Sequence, residues 1–181
     1  MSDARATRAA QRAFHVLVVD DDPDMVAYLT HFLRTEGMQT EAAFESGQAF
    51  ALVADSPPDL VLLDVMMPGM SGFEICRRLK GDEATALIPV VLITALEDSE
   101  SRVRGIEAGA DDFLSKPVKR EELLARIRTL RRLHEMRKEL EQRRLAAEVH
   151  RKEAIRKAFS RYISPRLTER VLSESQAGAD V

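Results

Sequence analysis

The 181-residue sequence has a single cysteine, Cys76, so a secreted disulfide scaffold is excluded. A lone thiol within Phe-Glu-Ile-Cys reads as core filler rather than as a nucleophile. No apolar run approaches the roughly 18 residues of a membrane span. The first thirteen residues are rich in Ala and Arg and lack the apolar stretch of a secretory signal. These absences lead to the expectation of a cytoplasmic protein without membrane attachment. Hydrophobic residues at 45% and charged residues at 31% exclude wholesale disorder. The length holds one ordinary domain with something left over.

Charge is divided along the chain. Residues 1–118 carry ten basic against twenty acidic residues, whereas residues 119–170 carry seventeen against eight. Such asymmetry marks either a nucleic-acid-binding arm or a solvated helix laced with Glu–Arg pairs.

Short aliphatic runs alternate with amphipathic stretches through residue 118. Strands are predicted at His15–Asp20, Gln39–Phe44, Asp59–Asp64, Pro89–Thr94 and Asp112–Ser115. Val-Leu-Val-Val, Leu-Val-Leu-Leu and Val-Val-Leu-Ile are almost wholly aliphatic, as in parallel strands buried on both faces. Asp22-Pro23 caps and opens a first helix, which Gly37 stops. Ser46-Gly47 opens a second, and Pro57-Pro58 bars it from entering the third strand. Ser71 caps a third through Lys80, and a fourth runs from Ser99 or Ser101 to Gly109. Five βα units predict an α/β sandwich with right-handed crossovers.

A fifth helix starts near Lys119 and meets no breaker before Pro165, longer than a globular domain needs. Leu123, Ile127 and Leu130 follow the 4-then-3 spacing of a buried seam, and Leu133, Met136 and Leu140 continue it. The five-residue step from Leu140 to Leu145 shifts its phase, as at a coiled-coil discontinuity. A parallel coiled-coil stalk is the expectation.

Several polar residues fall at carboxyl ends of predicted strands: Asp20 and Asp21 after the first, Asp64 on the third, Thr94 on the fourth and Lys116 after the fifth. In an open parallel sheet, ligands bind in crevices outside those ends. Three carboxylates without His or Cys partners suit a hard, oxygen-seeking cation, and Mg²⁺ fits best. Asp64 directly follows Leu-Val-Leu-Leu, where an unpartnered carboxylate is costly to bury.

Val-Leu-Val-Val-Asp-Asp-Asp, Leu-Leu-Asp-Val-Met-Met-Pro-Gly-Met-Ser-Gly, Ile-Thr-Ala and Gly-Ala-Asp-Asp-Phe-Leu-Ser-Lys-Pro resemble the receiver domain of bacterial response regulators. The resemblance covers about residues 14–135, with the motifs in order. It implies a flavodoxin-like (βα)5 fold with a five-stranded parallel sheet. It also implies that Asp64 is phosphorylated by a sensor histidine kinase or phosphotransfer protein. Asp20, Asp21, Asp64 and the Met66 backbone carbonyl would hold Mg²⁺, while Thr94 and Lys116 would contact the phosphoryl group. Lys116–Pro117 would be cis, and Phe113 would turn inward as Thr94 moves. Similar receivers suggest a homodimer with cross-subunit pairs Arg102–Glu122 and Asp112–Arg126.

Phe-Ser-Arg-Tyr-Ile-Ser-Pro, at residues 159–165, resembles the lead-in to class III adenylate or guanylate cyclase domains. The expected organisation is a tail at 1–13, a receiver at 14–135, a stalk at 136–158 and the cyclase-linker-like segment at 159–181. A diguanylate cyclase is a rival output, although such proteins lack the Phe-Ser-Arg-Tyr-Ile-Ser-Pro sequence. A DNA-binding output is the other rival. Against it, Glu135, Glu139, Glu141, Glu148 and Glu153 dilute the basic stretch, and no helix-turn-helix pattern follows the receiver. Nucleic-acid binding and catalysis by this chain are both unexpected. A phosphohydrolase would want a second acid two residues after Asp64, where Met66 stands.

Overall fold

The computed structural model describes residues 13–95 and 99–162. Leu96 and residues 163–181 of the cyclase-like segment lie outside the described residues, as does the tail to residue 12.

Among the described residues, ten elements alternate: β1 (His15–Val19), α1 (Pro23–Thr35), β2 (Gln39–Ala43), α2 (Ser46–Asp55), β3 (Leu60–Asp64), α3 (Gly72–Gly81), β4 (Val90–Thr94), α4 (Ser99–Glu107), β5 (Asp112–Ser115) and α5 (Arg120–Tyr162). The strands form one parallel sheet in the order β2-β1-β3-β4-β5. This is the sheet and helix arrangement that the sequence predicts.

The aliphatic runs are explained by two cores, one on each face. Val16, Val18, Leu60, Leu62, Val91, Ile93 and Leu114 face α1 and α5. Their neighbours Leu17, Val19, Val61, Leu63, Val90 and Leu92 face the opposite way, into a second core with residues of α2 and α3. Side chains alternate with period two, so a strand covered on both faces needs apolar residues at every position. Cys76 is fully buried in the second core, and burial pushes its thiol up to about 11. It is inert filler, as expected.

The helix signals act as local chemistry dictates. The Asp22 carboxylate accepts from the backbone N–H groups of Asp24 and Met25, with Pro23 opening α1. Ser71 and Glu74 form a reciprocal capping box at α3. Gly37 and Gly109, at φ of +80° and +84°, occupy the left-handed conformation in which glycine ends helices.

One expectation is corrected. Leu123 and Ile127 are 0% exposed and Leu130 is buried too, all within the core against the sheet. They are therefore unavailable to a second copy of the chain. A helix covering a sheet and a helix in a coiled coil both place apolar residues at i, i+4 and i+7. Here the sheet takes that face. Leu133, Met136 and Leu140 are exposed.

The chain divides into two units, Met1–His134 and Glu135–Val181. The described part of the second is helix through Tyr162, with Leu140, Leu145, Val149 and Ile155 exposed. Glu148 and Lys152 pair at 3.0 Å along it.

Candidate functional site

β1 and β3 are adjacent in the sheet although β2 lies between them in sequence. The chain first builds outward from β1 on one side and then on the other, which opens a crevice at their carboxyl ends. Asp20 stands just after β1 and Asp64 ends β3, with exposures of only 1% and 3%. Asp21 is exposed beside them, and ligand oxygens of all three carboxylates lie within 4.8 Å of one another.

Lys116 reaches in from the end of β5. Its ammonium is 2.7 Å from Asp64 Oδ1 and 3.0 Å from Asp20 Oδ2. The remaining oxygens accept from the backbone: Asp20 Oδ1 from the Asp22 N–H, and Asp64 Oδ2 from the Met66 N–H, each at 2.9 Å. Lys116 donates its own N–H to the Thr94 carbonyl at 2.8 Å, tying it to β4, and the Lys116–Pro117 bond is cis. Asp20, Asp21, Asp64, Thr94 and Lys116, read as a set from strand ends, thus converge on one crevice.

Burial raises the Asp64 carboxyl above its ordinary value, and repulsion from Asp20 adds to this while Lys116 opposes it. Burial pulls the Lys116 ammonium down. Its hydrogen bonds to Asp64 and Asp20 and their negative charge outweigh that effect and leave it raised. One ammonium facing three carboxylates leaves an excess of negative charge in a donor set made wholly of oxygen. That set fits a hard divalent cation, which Asp20, Asp21 and Asp64 would hold.

Gly72, unremarked in the sequence beyond its place after the capping Ser71, matters here. A Cβ at Gly72 would sit 2.1 Å from the Asp64 carbonyl oxygen, so only glycine lets α3 begin so close to that backbone. A Ser-Gly pair opening a helix after a strand-end Asp is the signal that could have found it.

Phe113 packs against Gly105 and Leu92. It shares a cavity of about 60 Å³ with Phe73, Thr94, Ser101, Arg102, Ser115, Glu122 and Arg126. Arg126 pairs with Asp112 of the same chain at 3.2 Å, and with Glu122 at 3.7 Å. The expected cross-subunit partner of Asp112 is thus engaged within the domain. A larger cavity of about 450 Å³, lined by His15, Arg34 and Glu41 among others, opens at the amino ends of β1 and β2, away from these carboxylates.

The family model described as "Response regulator receiver domain" matches residues 16–128. The chain is 48% identical to Response regulator PleD of Caulobacter vibrioides over 128 residues, which are 71% of this chain and 28% of that relative. It is 46% identical to DNA-binding response regulator MtrA of Mycolicibacterium smegmatis over 120 residues, 66% of this chain and 51% of the relative. The chain therefore spans about half or less of these relatives' length. Among solved structures, the receiver domain of a signal transduction histidine kinase from Syntrophus aciditrophicus superposes with a TM-score of 0.62 at 40% identity. That match covers 65% of this chain and 89% of the other. A CheY-like receiver from Methanospirillum hungatei gives a TM-score of 0.66 at 26% identity, covering 70% and 99%.

Proposed function

This chain belongs to the response regulator receiver family, and from that footing we propose that Asp64 accepts a phosphoryl group from a sensor histidine kinase or phosphotransfer protein in the cytoplasm. The observation that carries the reading is the Lys116 ammonium bridging Asp64 and Asp20 beside Asp21. An Asp64 carboxylate oxygen forms the new O–P bond while the P–N bond to the donor imidazole breaks, and the imidazole takes up a proton. Such transfer depends on positioning and on neutralising charge at the phosphoryl oxygens. Asp20, Asp21, Asp64 and the Met66 carbonyl would hold Mg²⁺, which would supply that neutralisation together with Lys116. Thr94 hydrogen-bonds the phosphoryl group. Acetyl phosphate with Mg²⁺ should label the parental chain once, and neither Asp64→Asn nor chelator-treated protein should take label. Labelling that survives Asp64→Asn would overturn the assignment.

The output we propose is a nucleotidyl cyclase, reached through a parallel homodimeric coiled coil along Leu133, Met136 and Leu140. The exposure of those residues supports the dimer. Phe-Ser-Arg-Tyr-Ile-Ser-Pro supports the cyclase. A diguanylate cyclase is a competing output. A second rival, a DNA-binding output, is favoured by one relative's name, DNA-binding response regulator MtrA. Salt-sensitive binding of this chain to random duplex DNA would favour that reading. The reading frame beyond codon 181 decides among all three.

A further inference from the structure

Gly105 lies in the interior of α4, a position where glycine is unfavourable for a helix relative to alanine. The structure shows what it makes room for. A Cβ at this position would sit 2.2 Å from Phe113 Cε1, 2.5 Å from Phe113 Cζ and 3.1 Å from Leu92 Cδ1. The Phe113 ring is seated on the bare backbone of α4. The Arg104 guanidinium, 4.8 Å above the Phe73 ring of α3, adds a contact that holds α4 against its neighbour.

The seat bears on the phosphoryl-acceptor site through β4. Leu92 is opposite Phe113 in the β4–β5 register, and Thr94 is opposite Ser115. Leu92 and Thr94 are two residues apart, so both project on the same side of the sheet. Phe113 and Thr94 are walls of the same 60 Å³ cavity. A ring expelled from Gly105 has two places to go: into that cavity beside Thr94, or outward between α4 and α5.

We infer that Gly105 is a positioning residue for phosphoryl transfer to Asp64: by seating Phe113 beneath α4, it keeps open the space that Thr94 needs to reach the phosphoryl group. The inference rests on the phosphoacceptor reading of Asp64. On this inference Phe113 keeps its seat while Thr94 reaches the phosphoryl group.

The test uses the full chain labelled with 4-fluorophenylalanine, together with Gly105→Ala, Phe113→Leu and the double variant. Gly105→Ala should displace the Phe113 fluorine resonance and slow acetyl phosphate labelling by at least about fivefold. In the Phe113→Leu background the clashing ring atoms are gone. There the alanine should change labelling by less than about twofold and raise the melting temperature, as helix propensity dictates. Parental labelling kinetics in Gly105→Ala would overturn the positioning role, as would slowing that persists without the ring. If Gly105→Ala fails to fold, Phe113→Leu and the double variant still decide: a double variant that also unfolds overturns the seat. Failure of the parental chain to take label would overturn the phosphoacceptor reading as well, whereas normal parental labelling confines any failure to Gly105.

Discussion

Lys116 and Asp64 meet at 2.7 Å across the carboxyl ends of β5 and β3, and the same ammonium holds Asp20 at 3.0 Å. Their ionisations are consequently linked. Replacing Lys116 by Met leaves burial and Asp20 repulsion opposed only by the Met66 N–H, so the Asp64 carboxyl should move further above its ordinary value. A side-chain carbon NMR titration of Asp64 without divalent cations checks this. A lower midpoint in Lys116→Met would refute the linkage.

The same shift sets a pH dependence. A carboxyl raised in the folded state favours folding when protonated. Metal-free stability should therefore increase as pH falls through the folded value of Asp64, and decline as pH rises through it. Asp64→Asn should stabilise the metal-free protein at neutral pH, because burial and Asp20 repulsion disfavour the ionised carboxylate and Lys116 keeps Asp20 as its partner. Mg²⁺ should shrink that gain, since it favours the ionised parental site. Urea unfolding at neutral and acidic pH, with and without Mg²⁺, measures each arm.

Lys80 forms a second, partly exposed ion pair away from these carboxylates. Its ammonium lies 2.6 Å from Asp111 Oδ2 and donates to the carbonyls of Ile88 and Ala86 at 2.7 and 3.2 Å. The same Asp111 oxygen accepts from the Val90 N–H at 2.8 Å, joining α3 to the start of β4. Lys80→Met removes the ammonium that joins this carboxylate to two carbonyls, so it should cost about 1 kcal/mol. Labelling of the folded protein at Asp64 should be unaffected.

The two halves of the apolar pattern on α5 should separate experimentally. Ile127→Ala should cost about 2–4 kcal/mol in unfolding free energy, as a cavity in the core demands. Leu140→Gln should change unfolding by no more than about 0.5 kcal/mol. It should instead weaken self-association in sedimentation. A stable monomer at high micromolar concentration in the parental chain would overturn the proposed dimer.

Met66, two residues after Asp64, is 63% exposed, and its thioether offers water only a weak acceptor. Resemblance to receivers gives the other position flanking the water's approach to Leu96, two residues after Thr94, whose side chain has no polar group. Met66→Asn with Leu96→Glu should speed loss of the phosphoryl group by about tenfold, equal to ~1.4 kcal/mol of barrier, by orienting an attacking water. Decay of labelled protein after donor removal gives the rate. An unchanged half-life would show that these positions do not control the water.

The five strands and the helix starts at Asp22 and Ser71 were legible because their causes are local. An aliphatic run, a capping side chain and a proline act within a few residues of themselves. The carboxylates were legible for a related reason: a parallel α/β sheet brings its strand ends to one edge, so naming the strands located Asp20, Asp64, Thr94 and Lys116 together. Ser46-Gly47 likewise marked the start of α2, although by a different cause. α2 begins without a side-chain cap, and packing of Ala49 and Val53 holds it instead.

What the sequence by itself determined is therefore periodicity, punctuation and the chemistry available at the strand ends. The tertiary structure decided which surfaces those patterns meet. Leu123, Ile127 and Leu130 carry the same spacing whether they cover a sheet or a second helix, and only the sheet's unfilled face assigns them inward. Gly72 against Asp64, Gly105 beneath Phe113 and Lys80 on Asp111 join different elements. Their distances follow from how helices settle on the sheet, and a one-dimensional pattern cannot encode close approach between residues that only packing brings together.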